Sequence, residues 1–178
     1  MTPDDLKALI RTIADFPEPG IQFRDITTLI ADGEGLKASV RLLAERVEAS
    51  GAQAIAGMEA RGFIFGAAVA VELGLGFIPV RKPGKLPVET IGIDYALEYG
   101  TDRLEIDPSA IAAQQNIAIV DDLIATGGTA LAAAQLLRQA GAAISHAHFV
   151  IDLPELGGAN KLREADVAVD ALMDFEGA

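Results

Sequence analysis

Apolar residues recur along this chain in two alternating rhythms. Leu6, Leu9, Ile10 and Ile13 fall on one helical face behind Thr2 as N-cap and Pro3 in the first turn, which predicts an N-terminal helix. Leu36, Val40, Leu43, Ala44 and Val47 repeat that spacing in a second helix, ending before Gly51. From there short apolar runs alternate with helical stretches. Strands are expected at 54–58, 77–81, 116–120, 144–152 and 167–172, and helices at 62–73, 129–140 and 155–164. Such alternation predicts an α/β fold, a mainly parallel sheet with helices on both faces. In sheets of that kind ligands sit outside the carboxyl ends of the strands.

Residues 82–103 interrupt the rhythm. Pro83, Gly84, Pro87, Gly92 and Gly100 alternate there with Val88, Thr90, Ile91 and Tyr95. A long Pro/Gly-marked excursion inside a compact domain reads as an active-site lid, with a rigid β-hairpin as the alternative. The whole chain, 1–178, is of single-domain length.

Composition narrows the classes. A hydrophobic fraction of 51% is too high for a disordered chain, despite a net charge of −12 from 14 basic and 26 acidic residues. That charge disfavours nucleic acid and anionic membranes as partners. There is no cysteine, which removes disulfide and thiolate chemistry. The N-terminus lacks the basic start and apolar core of a signal peptide, and the apolar run 62–71 is too short to span a bilayer. A cytoplasmic protein is expected.

The most informative segment is 116–129. The apolar run Asn116-Ile117-Ala118-Ile119-Val120 ends on Asp121 and Asp122, passes through Ala125-Thr126-Gly127-Gly128-Thr129, and opens an Ala/Leu-rich helix. Glycines let backbone N–H groups point at a phosphate, the helix N-terminus adds favourable partial charge, and Thr126 and Thr129 offer hydroxyls. Asp121 and Asp122 would then face ribose hydroxyls, or a metal bridging them. The alternative is a turn whose Asp and Thr residues only cap the helix. No Lys follows the glycines, so this is not a Walker loop. Gly74-Leu75-Gly76 precedes a strand and is no dinucleotide fingerprint.

This segment closely resembles the ribose-phosphate motif of the type I phosphoribosyltransferases. Phe16-Pro17-Glu18-Pro19-Gly20-Ile21-Gln22-Phe23-Arg24-Asp25, Glu59-Ala60-Arg61-Gly62-Phe63, Arg81-Lys82-Pro83-Gly84-Lys85-Leu86-Pro87 and Leu97-Glu98-Tyr99-Gly100 are similar, in order, to landmarks of the adenine-using branch of that family. The resemblance implies that adenine and phosphoribosyl pyrophosphate give AMP and pyrophosphate. It implies a ribose 5-phosphate site at Asp121, Asp122, Ala125, Thr126, Gly127, Gly128 and Thr129. Pyrophosphate contacts would fall to Arg61, Arg81, Lys82, Lys85 and Tyr99, with Mg²⁺ held through the substrate and Asp121 and Asp122 as its candidate side-chain ligands. Arg61 and Glu98 would be catalytic, Glu98 as the acid/base near the purine. The resemblance implies a non-proline cis peptide at Glu59-Ala60 and a homodimer, with the 81–85 group serving either its own site or the partner's.

Base recognition is expected within residues 1–35, which combine the N-terminal helix with a purine-binding segment. Phe23 can stack on the purine, and backbone groups near Ile21 and Arg24 can match its edge; Arg24 could instead pair with Asp25 to hold the loop. The cations at 81–85 could be surface charge, and Glu98 an exposed loop residue. His146 and His148 share a strand face but have no evident third ligand, so they read as structural. A member using another base, or a non-catalytic sensor of the ribose donor, would share the phosphate loop.

Overall fold

The N-terminal apolar face is divided between two kinds of structure. Thr2 caps helix α1 (Pro3–Ala8) through a reciprocal capping box with Asp5. The helix stops there, and Ile13 belongs to strand β1 (Arg11–Ala14). The helix expected to include Ile13 is cut short because 11–14 pairs antiparallel with β2 (Gln22–Asp25), and Arg11 reaches Asp25 at 2.5 Å. Cross-strand partners outweigh a helical pattern too short to stand alone. A brief helix α2 (Thr27–Ala31), with no counterpart in the sequence reading, leads into α3 (Gly33–Ala49), which buries Leu43, Ala44 and Val47 as their spacing predicts.

Strand and helix then alternate in a computed structural model that describes residues 1–97 and 100–177. Strand β3 (Ala54–Met58) is buried throughout, and α4 (Arg61–Leu73) closes on Gly74 in the left-handed conformation. Strand β4 (Gly76–Val80) accommodates Pro79 because it lies at the sheet edge. Within and just beyond the interrupting segment, β5 (Ile91–Ala96) and β6 (Thr101–Ile106) form an antiparallel ribbon. Strand β7 (Ile117–Ile124), α5 (Gly128–Gln139), β8 (His146–Asp152), α6 (Gly158–Glu164) and β9 (Ala168–Asp174) complete the chain.

The central sheet has the order β4-β3-β7-β8-β9, every pair parallel. Alternation along β7 distributes its side chains to both faces. Ile117 and Ile119 pack with Leu136 and Leu137 of α5, while Ala118 and Val120 join Leu43 of α3 and Phe65 of α4. The fold is therefore the expected parallel sheet covered on both faces. Strand β7 runs past its expected end because β8 stays beside it, with Asp121 opposite Phe149 and Leu123 opposite Ile151. Asp121 and Asp122 thus belong to the strand itself.

The described residues of the β5–β6 ribbon form an antiparallel pair with a firm root. Arg81 and Glu105 exchange both backbone hydrogen bonds, at 3.0 and 2.7 Å. Leu104 and Ile106 are buried in the core beneath α5, with Ile93 and Tyr95 packed against it.

Candidate active site

Strand order reverses between β3 and β7, and their ladder ends early. Ala54, Ala56 and Ile55 pair with Ile117, Ile119 and Ala118, after which the two strands share no further partners. A cleft opens there, lined by 58–61 from the end of β3 and by 121–130 from β7 through the first turn of α5. A switch point of this kind is where open parallel sheets bind ligands. The peptide bond Glu59–Ala60 at its wall is cis, as is Phe16–Pro17.

The charged groups of the cleft are tightly arranged. Arg61 Nε donates to Oδ2 of the buried Asp122, and this hydrogen bond holds the guanidinium pKa above its usual value. Asp121 Oδ1 accepts from the Asp122 amide at 2.8 Å. Desolvation first, and the adjacent Asp122 charge second, push the Asp121 carboxyl well above the ordinary range. Gly62 makes the arrangement possible, since a Cβ there would lie 2.7 Å from Asp121 Oδ1.

The small-residue loop is shaped by a glycine pair. Gly127, at φ +77°, is the N-cap of α5 and has no side chain to bind the first-turn N–H groups. Those donors are left for a ligand, reinforced by the helix dipole. Gly158 packs directly beneath: a Cβ on it would meet the Ala125 carbonyl at 2.3 Å and the Gly127 nitrogen at 2.7 Å. Its own N–H donates to Ala125 O at 3.0 Å. The sequence reading missed Gly158, although the Gly157-Gly158 pair opening a helix was a visible signal. It also missed Lys161, which lines a hollow beside the loop with Leu97, Thr126 and Thr129.

A second pocket adjoins the cleft, formed by Ile13, Phe16, Phe23 and residues 24–27, with Arg61 between the two. Phe16 and Phe23 meet edge to face, with ring centroids 5.1 Å apart. Ile21 is exposed beside this pocket and does not line it. Arg24 borders it but does not pair with Asp25, which binds Arg11 and the Thr27 amide. The Arg24 guanidinium instead reaches Thr12 and the carbonyls of Glu176 and Gly177.

The remaining expected cations lie outside the cleft lining. Arg81 approaches Glu59 at 3.6 Å and lies over the Phe63 ring, and Lys85 is exposed. Lys82 Nζ donates to Asp102 and to Tyr95 Oη. Partial burial opposes its charge, but these partners outweigh it and raise the Lys82 pKa. Tyr95 Oη in turn accepts from Thr129 Oγ1 at 3.4 Å. Glu98 and Tyr99 fall outside the described residues. His146 and His148 stack at 6.1 Å, and burial lowers the His148 pKa to about 4. Among the described residues no group of three or more His, Cys, Asp or Glu is placed to hold a metal.

Comparison with known proteins fits this geometry. Residues 27–169 match the phosphoribosyl transferase domain family. The chain is 74% identical, over 99% of both chains, to the adenine phosphoribosyltransferase of Novosphingobium aromaticivorans. Its fold superposes on the enzyme of that name from Thermoanaerobacter pseudethanolicus with a TM-score of 0.92 and 45% identity, covering 98% of this chain and 100% of that one. The Saccharomyces cerevisiae enzyme, solved with adenine and an imino-altritol bisphosphate, gives 0.90 and 38% identity over 96% and 97% of the two chains.

Two substitutions probe the cleft. Gly158→Ala forces backbone apart beneath the loop and should cost about 1–3 kcal/mol in urea unfolding, as overpacking does; an unchanged midpoint would mean that the glycine pair is not constrained. Asp121→Asn should raise Tm at pH 7, by about 2–4 °C for each kcal/mol of charge desolvation relieved. The sign follows from the raised pKa: the native state binds more protons than the unfolded one, so this group's contribution falls as pH rises from 3.8. The gain in Tm should therefore vanish on acidification below pH 3.8, and a gain independent of pH would refute the assigned cause.

Proposed function

The chain belongs to the adenine phosphoribosyltransferases of the phosphoribosyl transferase domain family, and we propose that it transfers the 5-phosphoribosyl group of phosphoribosyl pyrophosphate to N9 of adenine, giving AMP and pyrophosphate in purine salvage. The supporting observation is that Arg61 borders both the loop cleft and the aromatic pocket. The reacting ribose carbon must meet a base on one side and lose pyrophosphate on the other, and a fixed cation between two pockets suits that demand.

In this reading the 5-phosphate lies on the N–H groups and hydroxyls of 125–129, ahead of the α5 N-terminus. Asp121 and Asp122 take the ribose hydroxyls. Adenine occupies the pocket of Phe16 and Phe23, stacked on an aromatic face and matched along its edge by backbone near Ile21 and Arg24. Arg61 stabilises charge developing on the departing pyrophosphate. Hard oxygen donors at Asp121 and Asp122 fit a Mg²⁺ carried by the donor, and the desolvated Asp121 would gain from a nearby cation. The ion, when bound, supplies neutralisation of the pyrophosphate charge.

Water must be kept from the cationic ribose. Leu97, at the end of the β5–β6 ribbon, lines the hollow over Thr126 and Thr129, which supports a covering role for its tip. For Lys82 to contact pyrophosphate it must leave Asp102, a partly exposed pair whose exchange costs little. Arg81, Lys82 and Lys85 lie outside the lining of this chain's own cleft, which supports a homodimer in which they serve the neighbouring subunit. No helix among the described residues is long and apolar enough to cross a membrane. The net charge of −12 disfavours nucleic-acid partners, and a cytoplasmic enzyme is proposed.

Pyrophosphate release from the donor with Mg²⁺, compared across adenine, hypoxanthine, guanine, xanthine and orotate, tests the assignment. Release with adenine alone is expected. Preference for another base would overturn the base-pocket reading, and donor binding without turnover would favour a sensor. For Glu98, proposed as the acid/base at N9, Glu98→Ala should lower kcat by about 10²-fold or more while donor affinity holds; unchanged turnover would remove it from the chemistry.

A further inference from the structure

The base pocket stands on a ribbon too small to hold its own shape. Strands β1 and β2 contribute four residues each, and an isolated two-stranded hairpin is marginal in water. Ile13 pairs with Phe23 across it, and Thr12 with Arg24. Successive side chains alternate in direction, so Phe23 and Ile13 share one face while Arg24 and Thr12 share the other. The face bearing Arg24 meets the C-terminal tail.

That contact is elaborate for a chain end. The Phe175 ring lies 4.7 Å from Lys7 Nζ and 4.9 Å from the Arg24 guanidinium, measured to the ring centroid. One cation comes from α1 and the other from β2, and both attract the ring face. Arg24 Nη2 donates to Glu176 O at 2.6 Å and Gly177 O at 3.1 Å, and Nη1 to Thr12 Oγ1 at 2.7 Å. Lys7 donates to the Asp174 carbonyl. The tail is itself pinned to the sheet, since the Phe175 N–H donates to Asp152 O at 3.0 Å. A continuous path of contacts therefore runs from the ends of β8 and β9, through Phe175 and Arg24, to the strand carrying Phe23.

We propose that the C-terminal tail, through Phe175 and Arg24, is a positioning element for the base pocket that sets affinity for the purine and not for the ribose donor. The inference rests on the assignment of adenine to that pocket. None of residues 174–177 lines either pocket, so the tail acts through the ribbon. The donor cleft is built from the ends of β3 and β7 and the starts of α4 and α5, none of which takes part in the tail's hydrogen bonds to Arg24, Lys7 and Asp152 or in its cation–π contacts.

The test compares the full chain with a variant ending at Asp174, with Phe175→Ala and with Phe175→Tyr. Truncation and Phe175→Ala should raise KM for adenine about tenfold, with KM for phosphoribosyl pyrophosphate and kcat within about twofold. Phe175→Tyr, which keeps the ring, should behave as the parent chain. Hydrogen exchange should quicken over 11–25 in the truncated variant and stay constant over 117–131. Unchanged adenine KM and unchanged exchange over 11–25 would overturn the proposal, as would a joint rise in both KM values with a lowered Tm, the mark of general loosening. If the parent chain itself turned over no adenine, the functional reading would fail, while the exchange data would still decide whether the tail holds the ribbon.

Discussion

The parting of β3 from β7 is the constraint on which the site depends. Each strand leaves the shared ladder with a partner on its other side: Gly57 and Met58 pair with Pro79 and Val80, and Asp121 pairs with Phe149. Backbone groups along the crevice thus keep hydrogen bonds on one edge while the other edge is freed for a ligand. Both strands then turn into helices at the same place. Helix α4 begins at Arg61 and α5 at Gly128, and both residues line the cleft. Two helix N-termini converge on one crevice, each presenting unpaired N–H groups and partial positive charge.

In the proposed function, that convergence is how a chain of net charge −12 would hold a polyanion. Surface charge beyond about 8 Å is screened at physiological salt, so a donor in the cleft would respond to what lies within it. There the helix ends and Arg61 supply local attraction. Asp121 in the same cleft works against the fold. Asp121 carries a carboxyl whose desolvation favours the neutral form, a cost that a globular core would avoid by placing an apolar residue there. Such a residue belongs to a site kept for binding at the expense of stability.

Local chemistry was the most legible part of the sequence. Acids, glycines and hydroxyls at 121–129 are consecutive, so their shared position at a strand end could be read from order alone. Contacts between distant segments could not. Gly158 is required by the close approach of Gly127, and nothing in the intervening residues announces that meeting. Arg24 had two candidate partners, the base edge and Asp25, yet its guanidinium binds tail carbonyls that no local pattern brings near. Ile13 fitted a helical period and was taken by a strand pairing instead. The excursion at 82–103 declared itself by Pro and Gly, but the buried root formed by Leu104 and Ile106 lies just past those markers.

The ribbon above the cleft is two mechanical parts joined in one hairpin. Its root is fixed by fully packed aliphatic side chains and by the paired hydrogen bonds of Arg81 and Glu105. Toward the tip, Thr129, Tyr95, Asp102 and Lys82 are linked by a chain of side-chain contacts, two of them at 3.3 Å and one at 3.4 Å. Long hydrogen bonds and partly exposed ion pairs contribute little individually, so they can be exchanged for contacts to a ligand without rebuilding the core. Because Thr129 belongs to the loop, a ligand bound there in the proposed way would compete for its contact with Tyr95, the group that Lys82 also touches. A rearrangement confined to these polar groups leaves the buried root undisturbed, so in the proposed covering role the ribbon would stay attached to the sheet while its contacts changed.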